Sequence, residues 1–201
     1  MRIDFEKLAP RDAYGWMTGT IYPRPIAWVS TISPEGRTNL APFSYFQAVA
    51  SNPPVLMFVP ANNRGGVKKD TLVNIERVPE FVVNLVPFEL AGAMNSTAAS
   101  LPHGESEFER FGIAALPSER VRPPRVALSP VSFECALHSI VPIGEGPGGT
   151  NVVFGRILVG HFSDEVLGPD GRPDSAKLDL IGRMGGDWYT RTTERFEVER
   201  P

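Results

Sequence analysis

Glycine and proline punctuate this chain so densely that long helices have little room: 19 glycines and 20 prolines stand among 201 residues. Between them lie short runs rich in β-branched and aromatic residues. That pairing favours many short strands joined by tight turns. Ile26–Ile32 reads as a strand, Ser33-Pro34-Glu35-Gly36 as a type I turn with its glycine last, and Thr38–Ala50 as a second extended segment. Asn52-Pro53-Pro54 breaks that segment, and Val55–Val59, Phe81–Val86, Ser132–Ile143 and Val152–Phe162 read as further strands. Helices are expected to be few and short. Asp70 or Thr71 is expected to cap one running to about Arg77, with Leu72 and Ile75 facing inward. Glu89–Asn95 is a second, and Ser106-Glu-Phe-Glu109 has the pattern of a capping box opening a third. No repeat or long linker divides the chain, so residues 1–201 are expected to form one domain. The fold class expected is mainly β, an antiparallel barrel with small helical insertions.

Bulk properties narrow the function. The formal net charge of −3 offers no general surface for nucleic acid or membrane. No run of roughly 18 apolar residues is present, so no membrane span is expected. The single cysteine, Cys135, permits no internal disulfide and fits a reducing compartment. The charged N-terminus has no apolar signal core, and a cytoplasmic location is expected.

Several segments carry chemistry-bearing residues. Asn39, Ser44, Tyr45 and Gln47 lie among small residues and prolines, a polar set that a core-building hairpin does not need. Asn63-Arg-Gly-Gly-Val-Lys-Lys-Asp-Thr71 brings Arg64, Lys68, Lys69 and Thr71 beside the start of a helix, where unpaired N–H groups favour anions. A solvated basic loop before a capped helix is the alternative. Gly144-Glu-Gly-Pro-Gly-Gly149 matches the letters of a dinucleotide fingerprint, but a β-branched run follows it where that fingerprint needs a helix. It reads as a hairpin turn. Cys135 and His138 have ligand-like spacing, yet an offset of three along a strand sends them to opposite faces. No metal site and no catalytic triad is expected.

Pro23-Arg-Pro-Ile-Ala27, Asn39-Leu-Ala-Pro-Phe-Ser44, Ser51-Asn-Pro-Pro54, Lys69-Asp-Thr71, Glu80-Phe-Val-Val-Asn84, Phe133-Glu-Cys135 and Arg183-Met-Gly-Gly186 with Tyr189 occur in that order. Together they resemble the flavin reductase-like, FMN-binding split-barrel family, in its flavoredoxin-like branch. The resemblance spans nearly the whole chain and implies an FMN-binding split β-barrel. It also implies a homodimer with FMN near the interface. Carried onto this sequence, it places Asn39, Ala41, Pro42 and Ser44 along the flavin, with Ser44 on the ribityl chain or phosphate. Lys69 and Thr71, with Arg64, would hold the phosphate, and Asp70 would cap the helix rather than touch the anion. Arg183 and Tyr189 would close the far side of the pocket. Trp28, Ser30 and Thr31 are carried over as flavin neighbours. Strand alternation separates Trp28 and Ser30 from Thr31, and the first two are expected to face the ligand.

Many small flavin reductases carry a Gly-Asp-His signature that this chain lacks. The corresponding stretch is Gly148-Gly-Thr-Asn151, with no histidine. Three functions therefore stand as expectations. The first is an FMN-dependent oxidoreductase using NAD(P)H. The second is an FMN-bound electron carrier reduced by a redox partner protein. The third is a split barrel that binds another ligand or serves as an interaction module.

Overall fold

A computed structural model describes residues 1–63 and 65–199. In chain order its elements are α1 (Pro10–Thr18), β1 (Arg24–Pro25), β2 (Ala27–Ile32), β3 (Thr38–Phe43), β4 (Phe46–Ser51), β5 (Pro54–Phe58), α2 (Asp70–Arg77), β6 (Glu80–Asn84), α3 (Ala91–Ser96), α4 (Glu107–Arg110), β7 (Ala115–Leu116), β8 (Arg125–Val126), β9 (Val131–Ile143), β10 (Thr150–Phe162), α5 (Ser175–Leu178), β11 (Ile181–Arg183) and β12 (Tyr189–Arg191). The sequence reading has no counterpart for α1, whose only buried residue is Thr18. A helix that contributes so little to the core leaves a weak apolar period to detect.

Seven strands form one antiparallel sheet in the order β3-β2-β6-β9-β10-β5-β4. Its two edges, β3 and β4, are consecutive in the chain and joined only through Ser44 and Tyr45. So short a link forces the sheet to curl until its edges come together at that corner and stay unpaired beyond it, which makes a split barrel. The extended segment expected over Thr38–Ala50 is thus two strands with a corner between them. Phe43 and Phe58, at opposite ends of the curl, lie 5.2 Å apart by ring centroids, and Phe81 continues the stack at 5.2 Å.

Inside the barrel pack Ala27, Val29, Leu56, Val83, Cys135 and Val153, and α2 supplies Leu72 and Ile75 as expected. Gly155 faces Phe81 so closely that an added Cβ would lie 2.2 Å from the ring, so this strand position admits no side chain. Register shifts flank it on β10, between Phe154 and Gly155 and between Ile157 and Val159, and such bulges sharpen the bend of a strand.

The outer face of β2 and β3 is covered too. Ile26, Trp28 and Leu40 meet Met94 of α3, Phe108 of α4, and Val126 and Ile181. Strand β2 is therefore buried on both faces, which explains its run of apolar residues. A second, three-stranded sheet pairs β11 with β1 and β12. Arg24 ties it in: its guanidinium donates to the carbonyls of Thr18, Ile21 and Met184 at 2.7–2.9 Å. The glycine-rich run Gly144–Gly149 joins β9 to β10 as a hairpin, as read from the sequence.

Two helix starts differ from expectation. The N-cap of α2 is Lys69, with no side-chain cap. Asp70 turns away, its carboxylate meeting His103 Nδ1 at 2.7 Å and accepting from the Gly104 N–H at 3.2 Å. Ser106 does not cap α4 either; its hydroxyl pairs with Thr38 Oγ1 at 2.7 Å. In both places a tertiary partner outcompetes the local cap.

Candidate functional site

Strand β3, Asn63 with the stretch Lys68–Thr71, and the chain from Thr97 to Leu101 enclose a cleft of about 180 Å³, with Glu105 and Glu107 at its border. Asn39, Ala41 and Pro42 form one wall; Lys69, Asp70 and Thr71 face them. These six were singled out from the sequence, and the fold brings them together across the barrel's split. Ala41 and Pro42 keep this wall low, as small residues on an edge strand do.

Lys69 is the cation of the cleft. Its Nζ lies 5.5 Å from the centroid of the Phe43 ring, and no carboxylate among the described residues pairs with it. Burial pushes its pKa below the ordinary lysine value. Lys68, by contrast, is engaged by Glu76 at 2.5 Å. Beside Lys69, α2 begins, and the first N–H groups of a helix have no intrahelical acceptor. A cation without a counter-ion next to such amides suits an anion. Arg64 lies outside the described residues.

The loop carrying this segment is braced from below. Asn62 donates its N–H to the Gly149 carbonyl at 2.8 Å and its side-chain amide to the Gly146 carbonyl at 3.1 Å. At Gly66, where φ is +76°, an added Cβ would lie 3.1 Å from Gly146 Cα. The β9–β10 turn leads into a strand rather than a helix, and it supports the neighbouring loop.

Under the cleft lies a polar network. Thr71 Oγ1 donates to Asn39 Oδ1 at 2.8 Å, and Thr31 Oγ1 approaches the same oxygen at 3.4 Å. Asn74 Nδ2 donates to Thr31 Oγ1 at 3.0 Å. Asn39 Nδ2 donates to Glu107 Oε2 at 2.9 Å, and the Leu40 N–H donates to that same oxygen at 2.8 Å. Every residue of the network is buried. Glu107 was not singled out from the sequence. The capping-box reading drew attention to Glu109 instead, and a four-residue helix is too short for periodicity to say which acid turns inward.

The remaining sequence candidates sit elsewhere. Trp28 and Ser30 do share a face, but it is the covered outer face of β2, and both are fully buried. Trp28 Nε1 donates to Thr97 Oγ1 at 2.9 Å, behind the cleft wall, and Ser30 donates to the Pro124 carbonyl. Their expected orientation toward a ligand is corrected by the second layer of packing. Thr31 faces the other way, into the network. Ser44 marks the β3–β4 corner, 3.5 Å from Arg24 Nε and outside the cleft. Arg183 stacks on Tyr189 with its guanidinium 4.5 Å from the ring centroid, and the Tyr189 hydroxyl lies 3.4 Å from Asn95 Oδ1. That pair belongs to the small sheet, not to the cleft lining.

Cys135 is buried in the barrel and its thiol pKa is pushed up by burial, while His138 is exposed. Among the described residues no helix is long and apolar enough to cross a membrane.

Comparison with known proteins bears on this geometry. Residues 18–174 match the model of the flavin reductase like domain. An uncharacterised protein of Deinococcus radiodurans is 40% identical over 205 residues, covering 98% of this chain and 88% of its own. The crystal structure of nitrilotriacetate monooxygenase component B from Bacillus cereus superimposes with a TM-score of 0.93 at 34% identity, over 98% of each chain. The 2-nitrobenzoate 2-nitroreductase of Pseudomonas fluorescens does so with 0.90 at 31%, over 100% of this chain and 96% of its own. Flavoredoxin of Desulfovibrio vulgaris, at 21% identity and a TM-score of 0.73 over 89% of this chain and 91% of its own, shares the fold.

Proposed function

The chain belongs to the flavin reductase-like family, and from that premise we propose that it is an FMN-binding oxidoreductase passing hydride or electrons between NAD(P)H and flavin or another acceptor. The observation that carries the reading is Lys69, unpaired with any described carboxylate beside the start of α2, facing the low wall of Ala41 and Pro42.

The donor set suits the cofactor's anionic end. Lys69 and the first amides of α2 would hold a phosphate, and Thr71 would stiffen that end through its bond to Asn39. At about 180 Å³ the cleft is smaller than the roughly 300–1,000 Å³ of a complete ligand site. It has room for a phosphate-bearing chain and would leave a flat ring outside it. When bound, a flavin supplies the hydride and electron chemistry itself. This chain's share is to anchor, orient and leave one ring face open. No protein acid or base is obligatory, which accords with the few histidines.

A homodimer is part of the proposal. Strand β4 is a sheet edge with Val49 exposed, and Tyr14, Met17, Ile21 and Tyr22 are exposed on and after α1. An open edge flanked by apolar side chains calls for a cover. A second copy seated there would complete the ring's surroundings.

A second reading rests on one observation: the stretch Gly148–Asn151 has no histidine to meet a nicotinamide. An FMN-bound electron carrier needs no such group. The visible spectrum of the purified protein with added FMN and excess NADH under nitrogen separates the readings. The expected outcome is a flavin spectrum that bleaches. A flavin spectrum that stays oxidised in NADH and NADPH would select the carrier, and failure to take up FMN would remove both in favour of another ligand.

A further inference from the structure

Glu107 is buried, with a residue exposure of 6%, yet it borders the cleft. Its two oxygens are treated differently. Oε2 accepts both the Asn39 amide and the Leu40 N–H. Oε1 has no hydrogen-bond partner on another described residue, although no buried polar side-chain atom among those residues is left wholly shielded without one. Its own backbone N–H also bonds the carboxyl group. An acceptor with no partner on another described residue that is not sealed off looks into open space, and the space Glu107 borders is the cleft. Burying a carboxylate is costly unless it is paired, so a free oxygen here needs a donor from outside the chain.

We propose that Glu107 Oε1 receives a hydrogen bond from a hydroxyl of the ligand's polar chain, so that the cleft reads a phosphate-terminated polyol with Lys69 at one end and Glu107 at the other. This rests on the flavin reading and names the part of the cofactor that the cleft recognises: the ribityl phosphate tail. The chemistry fits each end. Lys69 offers only donors, as a phosphate requires, and an ionised carboxylate offers only acceptors, as hydroxyl donors require. Glu107 also sets the Asn39 amide. With Nδ2 drawn to Glu107, Oδ1 must face Thr71 and Thr31, which is the orientation found.

Fluorescence-quenching titrations of the flavin-free protein with FMN and with riboflavin test this. Riboflavin keeps the hydroxylated chain and lacks the phosphate. Glu107→Gln keeps an oxygen for Asn39 and Leu40 and turns the free acceptor into a donor. It should weaken both flavins by a similar factor of about ten, which is about 1.4 kcal/mol. Lys69→Ala should weaken FMN and leave riboflavin nearly unchanged. Wild-type affinity for both flavins in Glu107→Gln, or a loss confined to FMN, would overturn the assignment while leaving the flavin reading standing. A wild-type protein that takes up neither flavin overturns both. If Glu107→Gln does not fold at the assay temperature, the wild type carries the test. It should bind riboflavin more tightly than lumiflavin, whose ring lacks the hydroxylated chain, and equal affinities would overturn the assignment.

Discussion

Two glutamates are buried in this molecule, and the chain treats them in opposite ways. Glu134, on β9, has no exposed surface. It accepts from the N–H groups of Glu119 and Arg120 at 2.8 and 2.7 Å, and from His161 Nε2 at 2.6 Å. Burial pushes its pKa up, but these donors outweigh it and leave the carboxyl below its ordinary value. Glu107 has two donors on one oxygen and none from other described residues on the second. Burial dominates there, with the charge of Asp70 adding to it, and the pKa is raised. A fully bonded carboxylate fastens the 117–123 segment to the sheet. A half-bonded one, at a cleft, is available to a ligand. Equal burial thus does not mean equal role; the count of donors separates them.

The largest expected effect breaks the first member of the pair. Glu134→Ala takes the acceptor from two part-buried backbone N–H groups and from His161. Urea unfolding should show a loss of about 2 kcal/mol, since an unsatisfied donor costs about 1–3 kcal/mol when buried and less where water reaches it. A loss below about 1 kcal/mol would mean the 117–123 segment reaches other acceptors.

The next effect has opposite signs at the two sites. A lowered native pKa means that Glu134 contributes stability fully above the unfolded value of about 4.5, and that this is lost as pH falls through the native pKa. A raised native pKa means that Glu107 favours folding below that value and loses the benefit as pH rises through its native pKa. Urea midpoints followed from acid to neutral pH should therefore show Glu134→Gln losing part of the acid-side drop. Glu107→Gln should gain on the wild type as pH rises. The same sign in both variants would defeat the comparison.

The smallest effect sharpens it. At neutral pH Glu107→Gln should change stability by less than about 1 kcal/mol, because the amide oxygen can still accept from Asn39 and Leu40 and the other oxygen has no donor on another described residue to lose. A loss as large as that of Glu134→Ala would show that Oε1 is held by the protein after all.

Much of this was legible in the sequence, and the misses share a cause. The turn at Ser33–Gly36, the strands on either side of Gly144–Gly149 and the inward face of Leu72 and Ile75 follow from local pattern, because alternation and turn chemistry act over a few residues. The strand alternation at Trp28, Ser30 and Thr31 was legible as well, but not which face was solvent-side. Only the layer formed by α3, α4 and Val126 decides that. Asp70 and Ser106 looked like caps because capping is local; His103, Gly104 and Thr38 are distant in the chain and took them instead.

By itself the sequence determined a β-rich chain without room for long helices, the loop that carries Lys69 and Thr71, and the small-sided strand Asn39–Ser44. Proline restricts the backbone and glycine loosens it wherever they stand, so both interrupt helices, and alternation assigns faces without knowledge of partners. Tertiary structure alone decided that β3 and β4 close the sheet into a split barrel, that the loop and strand face each other across a cleft, and that Glu107 rather than Glu109 borders it. Those are contacts between residues far apart in the chain, set by how the curled sheet and its covering helices exclude water, and no short stretch of sequence contains them.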